Sequence, residues 1–241
     1  MKLALLSDIH GNLEALEAVL ADVAACGPHA MACLGDFVGY GASPNECTDR
    51  LKPLIEVAVI GNHDAAALGR LRLGGFQTDA ATAARWTAEQ LSPGNRAFLE
   101  TLQFTVIWHG QRVVHATPSE PEEWHYVLSI ADAELEFDGF RERVGFIGHS
   151  HVPGSFETDG ARVSYLRTPV VELRAGCRYL VNVGSVGQPR DGDPRAAWLL
   201  FDTEADRLEH RRVEYDIEGA AARIRAAGLP SFLAERLKWG E

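Results

Sequence analysis

The chain has 241 residues, of which 46% are hydrophobic and 24% are charged, and its formal net charge is −11 at pH 7. These values are typical of a globular protein with one large α/β domain or two small ones, and they argue against a chain dominated by disorder. The acidic balance disfavours broad electrostatic binding to nucleic acid or to an anionic membrane surface.

Cysteine usage and the length of the apolar runs indicate the cellular compartment of the protein. The apolar run from Leu3 to Leu6 is too short for the core of a signal peptide, and no run is long enough to span a membrane. Four cysteines without C-x-x-C spacing are interpreted as free thiols in a reducing compartment: Cys26, Cys33, Cys47 and Cys177. We therefore expect a cytoplasmic protein with no membrane partner.

The first 65 residues alternate short apolar runs with helical patterns, which is typical of βαβ units and a largely parallel sheet. A helix is predicted from Asn12 to Ala25, with Asn12 as its N-cap and Gly27 as its stop, and Ser43-Pro-Asn-Glu46 predicts the start of a second helix. The predicted strands are Lys2–Leu6, Ala30–Gly35 and Glu56–Ile60.

The rest of the chain changes character twice. Residues 65–103 are helical in pattern, and they are followed by a hairpin at Phe104–Trp108 and Arg112–His115 and by a strand at Val144–Ile147. Short strands are then predicted at 154–158, 161–167, 170–174, 178–183, 196–202 and 207–215, before helices at 217–227 and 230–238. We predict an α/β fold in which two mixed β-sheets pack face to face as a β-sandwich with helices outside.

Polar clusters follow the predicted strands at their carboxyl ends, where open α/β sheets bind ligands. They are Ser7-Asp8-Ile9-His10, Gly35-Asp36, Gly61-Asn62-His63-Asp64, His115 and Gly148-His149-Ser150-His151. Two of these clusters contain residues spaced i, i+2, namely Asp8 with His10 and His149 with His151. In an extended segment that spacing directs both side chains the same way. Carboxylate, amide oxygen and imidazole without thiolate suit manganese, iron, zinc, cobalt or nickel.

In this order, the clusters resemble the calcineurin-like metallophosphoesterase superfamily, and Asn182-Val-Gly-Ser-Val-Gly-Gln-Pro-Arg190 resembles a loop of its small bacterial phosphodiesterase-like branch. The resemblance covers about residues 1–190. It implies a four-layer αββα arrangement, and we expect one metallophosphoesterase domain over residues 1–241. In that domain 65–103 would be a helical insertion or cap, and 217–238 would be the C-terminal helices.

The resemblance also implies two divalent metal ions and a small phosphorylated substrate. Asp8, His10, Asp36 and His151 would hold the first ion, while Asp36, Asn62, His115 and His149 would hold the second, with Asp36 bridging. A hydroxide that bridges the ions would attack phosphorus in line. Metal identity and oligomeric state stay open.

Four further residues receive roles from the pattern. The resemblance places His63 near the leaving group, as a general acid or as a hydrogen-bond donor to phosphate, and Asp64 would orient its imidazole. Arg190 is a candidate ligand of the substrate phosphate, with an ion pair to Asp191 or Asp193 as the alternative. His125 is a candidate residue of the substrate pocket.

The chain departs from the phosphoprotein phosphatases after the second cluster. Their arginine, which grips a phosphomonoester, is missing from Phe37-Val38-Gly39-Tyr40-Gly41. Hydrolysis of a phosphodiester or small nucleotide is therefore favoured. Phosphomonoesterase or diadenosine polyphosphate hydrolase activity is an alternative, and so is a non-catalytic interaction scaffold on the same fold.

Overall fold

The computed structural model describes residues 1–241, with twelve strands and eight α-helices. The strands are β1 (Lys2–Leu6), β2 (Ala30–Cys33), β3 (Val57–Ala58), β4 (Thr105–Trp108), β5 (Gln111–Val114), β6 (Val144–Ile147), β7 (Gly154–Thr158), β8 (Val163–Leu166), β9 (Val170–Glu172), β10 (Arg178–Asn182), β11 (Ala196–Asp202) and β12 (Arg207–Val213). The α-helices are α1 (Leu13–Cys26), α2 (Pro44–Leu51), α3 (Asn62–Ala67), α4 (Thr78–Gln90), α5 (Pro93–Thr101), α6 (Ile130–Glu136), α7 (Ile217–Ala226) and α8 (Ser231–Glu235). Two short 3-10 helices lie at Leu73–Gly75 and Arg236–Lys238.

The strands form two mixed sheets of six strands each. The first has the order β3-β2-β1-β11-β12-β9, and the second has the order β4-β5-β6-β10-β7-β8. In the first sheet β1 runs parallel to β2 and antiparallel to β11, and in the second β10 runs parallel to β6 and antiparallel to β7. The predicted pair of mixed sheets is confirmed.

A buried apolar core lies between the two sheets. Leu3 and Leu5 of β1 face inward and pack in one buried cluster with Phe146, Tyr179 and Val181 of the second sheet. Successive side chains of a strand point to opposite faces, so the neighbours of Leu3 and Leu5 cover the outer face, where helices pack. The two sheets therefore share one apolar layer.

Helix α1 covers the outer face of the first sheet. Leu16 and Val19 are fully buried in a cluster with Leu6 of β1 and Trp198 of β11. The side chain of Asn12 accepts a hydrogen bond from the backbone N–H of Ala15, and Gly27 ends the helix in a left-handed conformation. Both predicted ends of this helix are confirmed.

Two helical segments pack against each other beside the sandwich. Ala83 of α4 lies in a buried cluster with Ile224 of α7 and Leu233 of α8. The helical patterns at 65–103 and 217–238 therefore form helices, as predicted, and they meet on one side of the molecule. This contact carries the C-terminal segment to the same end of the molecule as α3 and α4.

The structure differs from the predicted elements at three places. Helix α6 was not predicted, because its seven residues carry little periodicity beyond the Ser129 capping box. Strand β3 is only two residues long, and Val59 then makes an isolated bridge to Gln103. Helix α2 begins at Pro44 as expected, but the Ser43 side chain makes no capping hydrogen bond.

All four cysteines are free thiols, as the sequence predicts. None of the helices combines the length and the apolar character that crossing a bilayer requires.

Candidate metal centre

The polar clusters of the sequence meet at one edge of the two sheets. Asp8 follows β1, Asp36 follows β2, His115 follows β5 and His149 follows β6. Strands β1 and β2 run parallel, as do β5 and β6, so the carboxyl ends of each pair lie at a common edge. The backbone N–H of Asp8 donates to the carbonyl of Gly35 at 3.0 Å, which joins the first two loops.

The first group of ligand candidates is buried and tightly packed. One nitrogen or oxygen atom from each of Asp8, His10, Asp36 and His151 lies within 4.8 Å of the others. Nε2 of His151 is 3.1 Å from Oδ1 of Asp8, and Nε2 of His10 is 3.6 Å from Oδ2 of Asp36. Four side chains from three loops therefore converge on one point.

The second group adjoins the first through Asp36. Oδ2 of Asp36 is 3.3 Å from Nε2 of His115, and that nitrogen is 3.3 Å from Oδ1 of Asn62. The His149 ring lies beside His115, with ring centroids 5.1 Å apart. One carboxylate oxygen of Asp36 thus faces both groups. We call these seven side chains the floor of the site: Asp8, His10, Asp36, Asn62, His115, His149 and His151.

Backbone carbonyl groups orient all four imidazoles of the floor. Nδ1 of His10 lies 3.1 Å from the main-chain oxygen of Val38. In the same way, Nδ1 of His115 lies 2.7 Å from that of Leu34, and Nδ1 of His151 lies 2.6 Å from that of Gln188. A carbonyl oxygen only accepts, so each Nδ1 holds a ring hydrogen, and each Nε2 presents a lone pair when its imidazole is neutral. His149 is reversed: its Nε2 donates to the main-chain oxygen of Trp124 at 2.9 Å, which frees Nδ1.

The resulting arrangement of lone pairs requires a positive charge. Oδ1 of Asp8 and Oδ2 of Asp36 are buried without a hydrogen-bond partner, and Nε2 of His10 lies 3.0 Å from Nε2 of His151. Unpaired carboxylate oxygens inside a protein are costly, and facing lone pairs repel each other. A divalent cation removes both costs, and oxygen and imidazole nitrogen are suitable ligands for it.

The pKa values of the floor follow from burial and from the two carboxylates. Burial lowers the pKa of His149 to about 3 and that of His10 well below its usual value. Burial also opposes protonation of His115, but Asp36 and Asp8 outweigh it and raise the pKa of His115 to about 9. Burial alone would raise the pKa of Asp36, yet His115 and His63 hold it well below its usual range. The carboxylates are therefore ionised at neutral pH.

The prediction that the i, i+2 pairs lie in extended segments is wrong. Strand β1 ends before Asp8 and strand β6 ends before His149, and both residues of each pair have left-handed backbone conformations. The φ angles are 54° at Asp8, 50° at His10, 64° at His149 and 61° at His151, and Asp36 has 53°. Such conformations cost about 1–3 kcal/mol each and cluster at functional sites. Here the left-handed conformations bring nitrogen and oxygen atoms of the floor closer together than an extended chain would.

Two glycines allow the loops to approach the carboxylates. A Cβ atom on Gly61 would lie 2.0 Å from Oδ1 of Asp36, and one on Gly148 would lie 2.6 Å from Oδ2 of Asp8. Neither position has room for any side chain. The glycine before Asn62 and the glycine before His149 are therefore required by the packing of the floor.

Asp64 does not orient His63, contrary to the role that the resemblance implied. Its Oδ2 accepts the backbone N–H groups of Asp36 and Gly61 at 2.8 and 3.1 Å, and its Oδ1 accepts that of Val38 at 3.2 Å. Nδ1 of His63 is buried without a hydrogen-bond partner. Because Asp64 is in the first turn of α3, its carboxylate points back to the loops and ties two of them together.

A cavity of about 730 Å³ opens above the floor. His63 lines it beside Asn62 and His149, and burial lowers the pKa of His63 to about 4. We call the following lining residues the wall of the cavity: Tyr40, Arg72, Phe76, Asp79, Glu123, Trp124, Tyr126, Arg190, Phe232 and Arg236. The wall therefore comes mainly from the 65–103 segment, from the loop after His115 and from the C-terminal helices.

His125 does not line this cavity, so the prediction of a substrate contact there is wrong. Its side chain is exposed, and Nε2 lies 3.5 Å from a carboxylate oxygen of Glu120. The backbone at Trp124 is left-handed, and the two neighbours of His125, Trp124 and Tyr126, line the cavity instead. Tyr126 stacks on the His149 ring with centroids 4.1 Å apart.

Arg190 lies in the wall without a carboxylate partner. Its guanidinium donates to Oε1 of Gln188 at 2.8 and 3.2 Å and lies 5.4 Å from the centre of the Tyr40 ring. The alternative ion pairs are not formed, because Asp191 pairs with Arg212 and Asp193 pairs with Arg195. Its charge is therefore available to an anion in the cavity.

Tyr40 is a site residue that the sequence did not single out. Its ring centroid lies 4.3 Å from that of His63 and 4.7 Å from that of His10. The only sequence signal is its position between Gly39 and Gly41, in the segment where the phosphoprotein phosphatases carry the arginine that this chain lacks. Arg190 reaches this place from a distant loop.

Comparison with known proteins agrees with the geometry. A family model described as the calcineurin-like phosphoesterase superfamily domain matches residues 1–206. An uncharacterized protein of Methanocaldococcus jannaschii is 40% identical over 242 residues, which are 99% of this chain and 98% of that protein. The chain belongs to the calcineurin-like phosphoesterase superfamily, and it is an enzyme that acts on phosphoric esters.

Solved structures show the same architecture. A metallophosphoesterase from Sphaerobacter thermophilus is 40% identical, with a TM-score of 0.89 over 100% of this chain and 99% of that one. A hypothetical protein from Pyrococcus horikoshii is 19% identical, with a TM-score of 0.80 over 100% and 98%. The second likeness supports the fold alone.

Proposed function

We propose that the chain is a dinuclear metal-dependent phosphoesterase that hydrolyses a phosphodiester or a small nucleotide. The observation that carries this proposal is the position of Asp36. Its Oδ2 is buried, has no hydrogen-bond partner and lies 3.6 Å from His10 and 3.3 Å from His115, which belong to different groups of the floor. A bridging carboxylate between two ions is the simplest use of such an oxygen.

Each group supplies a full set of ligands. Asp8, His10, Asp36 and His151 would hold one ion, and Asp36, Asn62, His115 and His149 would hold the other. The mixture of imidazole and oxygen suits manganese, iron, zinc, cobalt or nickel. Two such ions would supply Lewis acidity and an activated water for in-line attack on phosphorus.

His63 and Arg190 would act on the substrate from the rim of the floor. The pKa of about 4 keeps the His63 imidazole neutral at pH 7, so its ring N–H serves as a hydrogen-bond donor to a phosphate oxygen or to the leaving oxygen. The His63 side chain borders the cavity, where a substrate would meet it. Arg190 would hold phosphate oxygens through its guanidinium.

The test is hydrolysis of bis(p-nitrophenyl) phosphate and of p-nitrophenyl phosphate by protein loaded in turn with each divalent metal. We expect the diester to be the better substrate. Asp36→Asn removes the bridging charge, and the matched control Asp138→Asn changes an exposed carboxylate that is not part of the floor or the wall.

Full activity of Asp36→Asn would contradict the dinuclear mechanism. No hydrolysis by the wild-type protein with any metal, together with no bound metal, would instead favour the non-catalytic scaffold. A preference for the monoester would favour the phosphomonoesterase alternative.

A further inference from the structure

The wall of the cavity holds an excess of positive charge that the floor does not use. It includes Arg72, Arg190 and Arg236, and none of them forms an ion pair with a carboxylate side chain. Arg236 donates through Nε to the main-chain oxygen of Glu241, whose negative charge partly offsets that of the guanidinium, and both terminal nitrogens of Arg236 are left without a partner. Asp79 and Glu123 also line the cavity, but neither pairs with these arginines.

Arg190 and Arg236 line the same cavity, and Tyr40, which lies under Arg190, packs against the cluster that holds Leu233 and Leu237 on either side of Arg236. Burial lowers the pKa of Arg236, and the neighbouring positive charge of Arg190 lowers it further. Both side chains are half-buried, and both lie against aromatic rings: Arg190 is 5.4 Å from the centre of Tyr40 and Arg236 is 5.3 Å from that of Phe232. Like charges held together at a cavity surface are unfavourable unless an anion lies between them.

Arg190 is the arginine nearer the floor, because it lies over Tyr40, whose ring centroid is 4.7 Å from that of His10. Arg236 lies over Phe232 in the C-terminal segment and makes no hydrogen bond to a residue of the floor. A phosphate held by the floor would therefore have Arg190 on one side, and a neighbouring phosphoryl group would lie nearer Arg236.

We propose that Arg190 and Arg236 form a second anion subsite, which binds a phosphoryl group of the substrate other than the one that is hydrolysed. The subsite rests on the proposed function and makes the substrate class narrower. It favours molecules with two or more adjacent phosphoryl groups, such as nucleoside diphosphates and longer polyphosphate esters. Phe76, Trp124 and Tyr126 border the same cavity and offer faces on which a base stacks.

The experiment is calorimetric titration of the metal-loaded, full-length protein with α,β-methylene ADP and with AMP. Charge-assisted hydrogen bonds to one more phosphoryl group predict that the diphosphate analogue binds about 10- to 100-fold more tightly. Arg236→Gln is expected to bring the ratio of the two affinities close to one. Arg236→Lys keeps the charge without the planar fork, so it should restore part of the preference.

The matched control is Arg225→Gln, since Arg225 is exposed on α7 and does not line the cavity. It is expected to keep the wild-type ratio. An unchanged ratio in Arg236→Gln, or a wild-type protein that binds both ligands equally, would overturn the proposal. The ratio of the two affinities is measured independently of the hydrolysis of bis(p-nitrophenyl) phosphate. A protein that prefers the diphosphate analogue but hydrolyses no ester would therefore contradict the proposed function and still support the subsite.

Discussion

The floor and the wall of the cavity are built in opposite ways. The floor consists of buried side chains that follow strand ends and whose rings are fixed by backbone carbonyl groups. The wall consists of half-buried and exposed side chains on helices and loops from distant parts of the chain. The floor lies at the strand ends of the sandwich, whereas the wall is formed by segments that pack around it.

On the proposed function, this difference separates the residues of the chemistry from the residues that select the substrate. Ligand positions at strand ends are insensitive to changes in the helices, and loops on a rigid scaffold accept sequence change at little cost. A family with one floor and many walls can therefore act on many phosphate esters. Substitutions in the two regions are expected to give different kinds of effect.

The largest effect is expected from His151→Ala, which removes a proposed metal ligand of the first group alone. The variant should lose several kcal/mol of transition-state stabilisation, so kcat should fall by about a thousand-fold. Bound metal measured by atomic emission should fall from two equivalents per chain to one. The exposed His29→Ala serves as control, and two retained equivalents with normal kcat would remove His151 from the ligand set.

Asp64→Asn tests whether the floor depends on its backbone connections. The amide offers one acceptor instead of two to the N–H groups of Asp36, Gly61 and Val38, and its own N–H groups face theirs. The free energy of unfolding in urea should fall by about 2–3 kcal/mol. Asp79→Asn in the wall should change it by less than about 0.5 kcal/mol. Equal losses in both variants would erase the distinction between the two regions.

His63→Gln examines the boundary between floor and wall. We expect kcat to fall by about a hundred-fold, because a positioned hydrogen-bond donor to the reacting group is lost or displaced. His63 is neutral at pH 7, so the loss should be similar for aryl and alkyl esters. A much larger loss with the alkyl ester would show that His63 protonates the leaving oxygen. His125→Gln, outside the cavity, is the control.

Arg190→Gln is expected to have the smallest effect of the four. Loss of a guanidinium contact with phosphate should raise KM for the aryl diester by about ten-fold and leave the metal content at the wild-type value. Arg162→Gln, which changes an exposed arginine between β7 and β8, should leave both unchanged. Loss of metal in Arg190→Gln would mean that this residue supports the floor.

The sequence predicts the floor better than the wall for a physical reason. Strand ends bring distant clusters together by topology alone, so Asp36 and His151 are recognisable from their places after apolar runs. The left-handed backbone at both residues is invisible in the sequence, because nothing in the side-chain pattern records it. The prediction of extended pairs failed for that reason.

The wall is not encoded by a local pattern. Arg236 lies in a short amphipathic segment whose packing partners are α4 and α7, and only that packing places it near Arg190. His125 shows the converse, because its neighbours face the cavity while it faces solvent. Tertiary contacts decide these positions, and a single sequence holds no direct record of them.

The three hydrogen bonds of Asp64 have a consequence for the life of the enzyme in a cell whose metal supply changes. They join the loops of the floor through protein groups alone, so these connections do not depend on a bound ion. In zinc fingers, by contrast, folding waits for the ion. On the proposed function, one cation would leave and another would enter without refolding, and the metal in use would then depend on abundance and exchange rate in the surroundings.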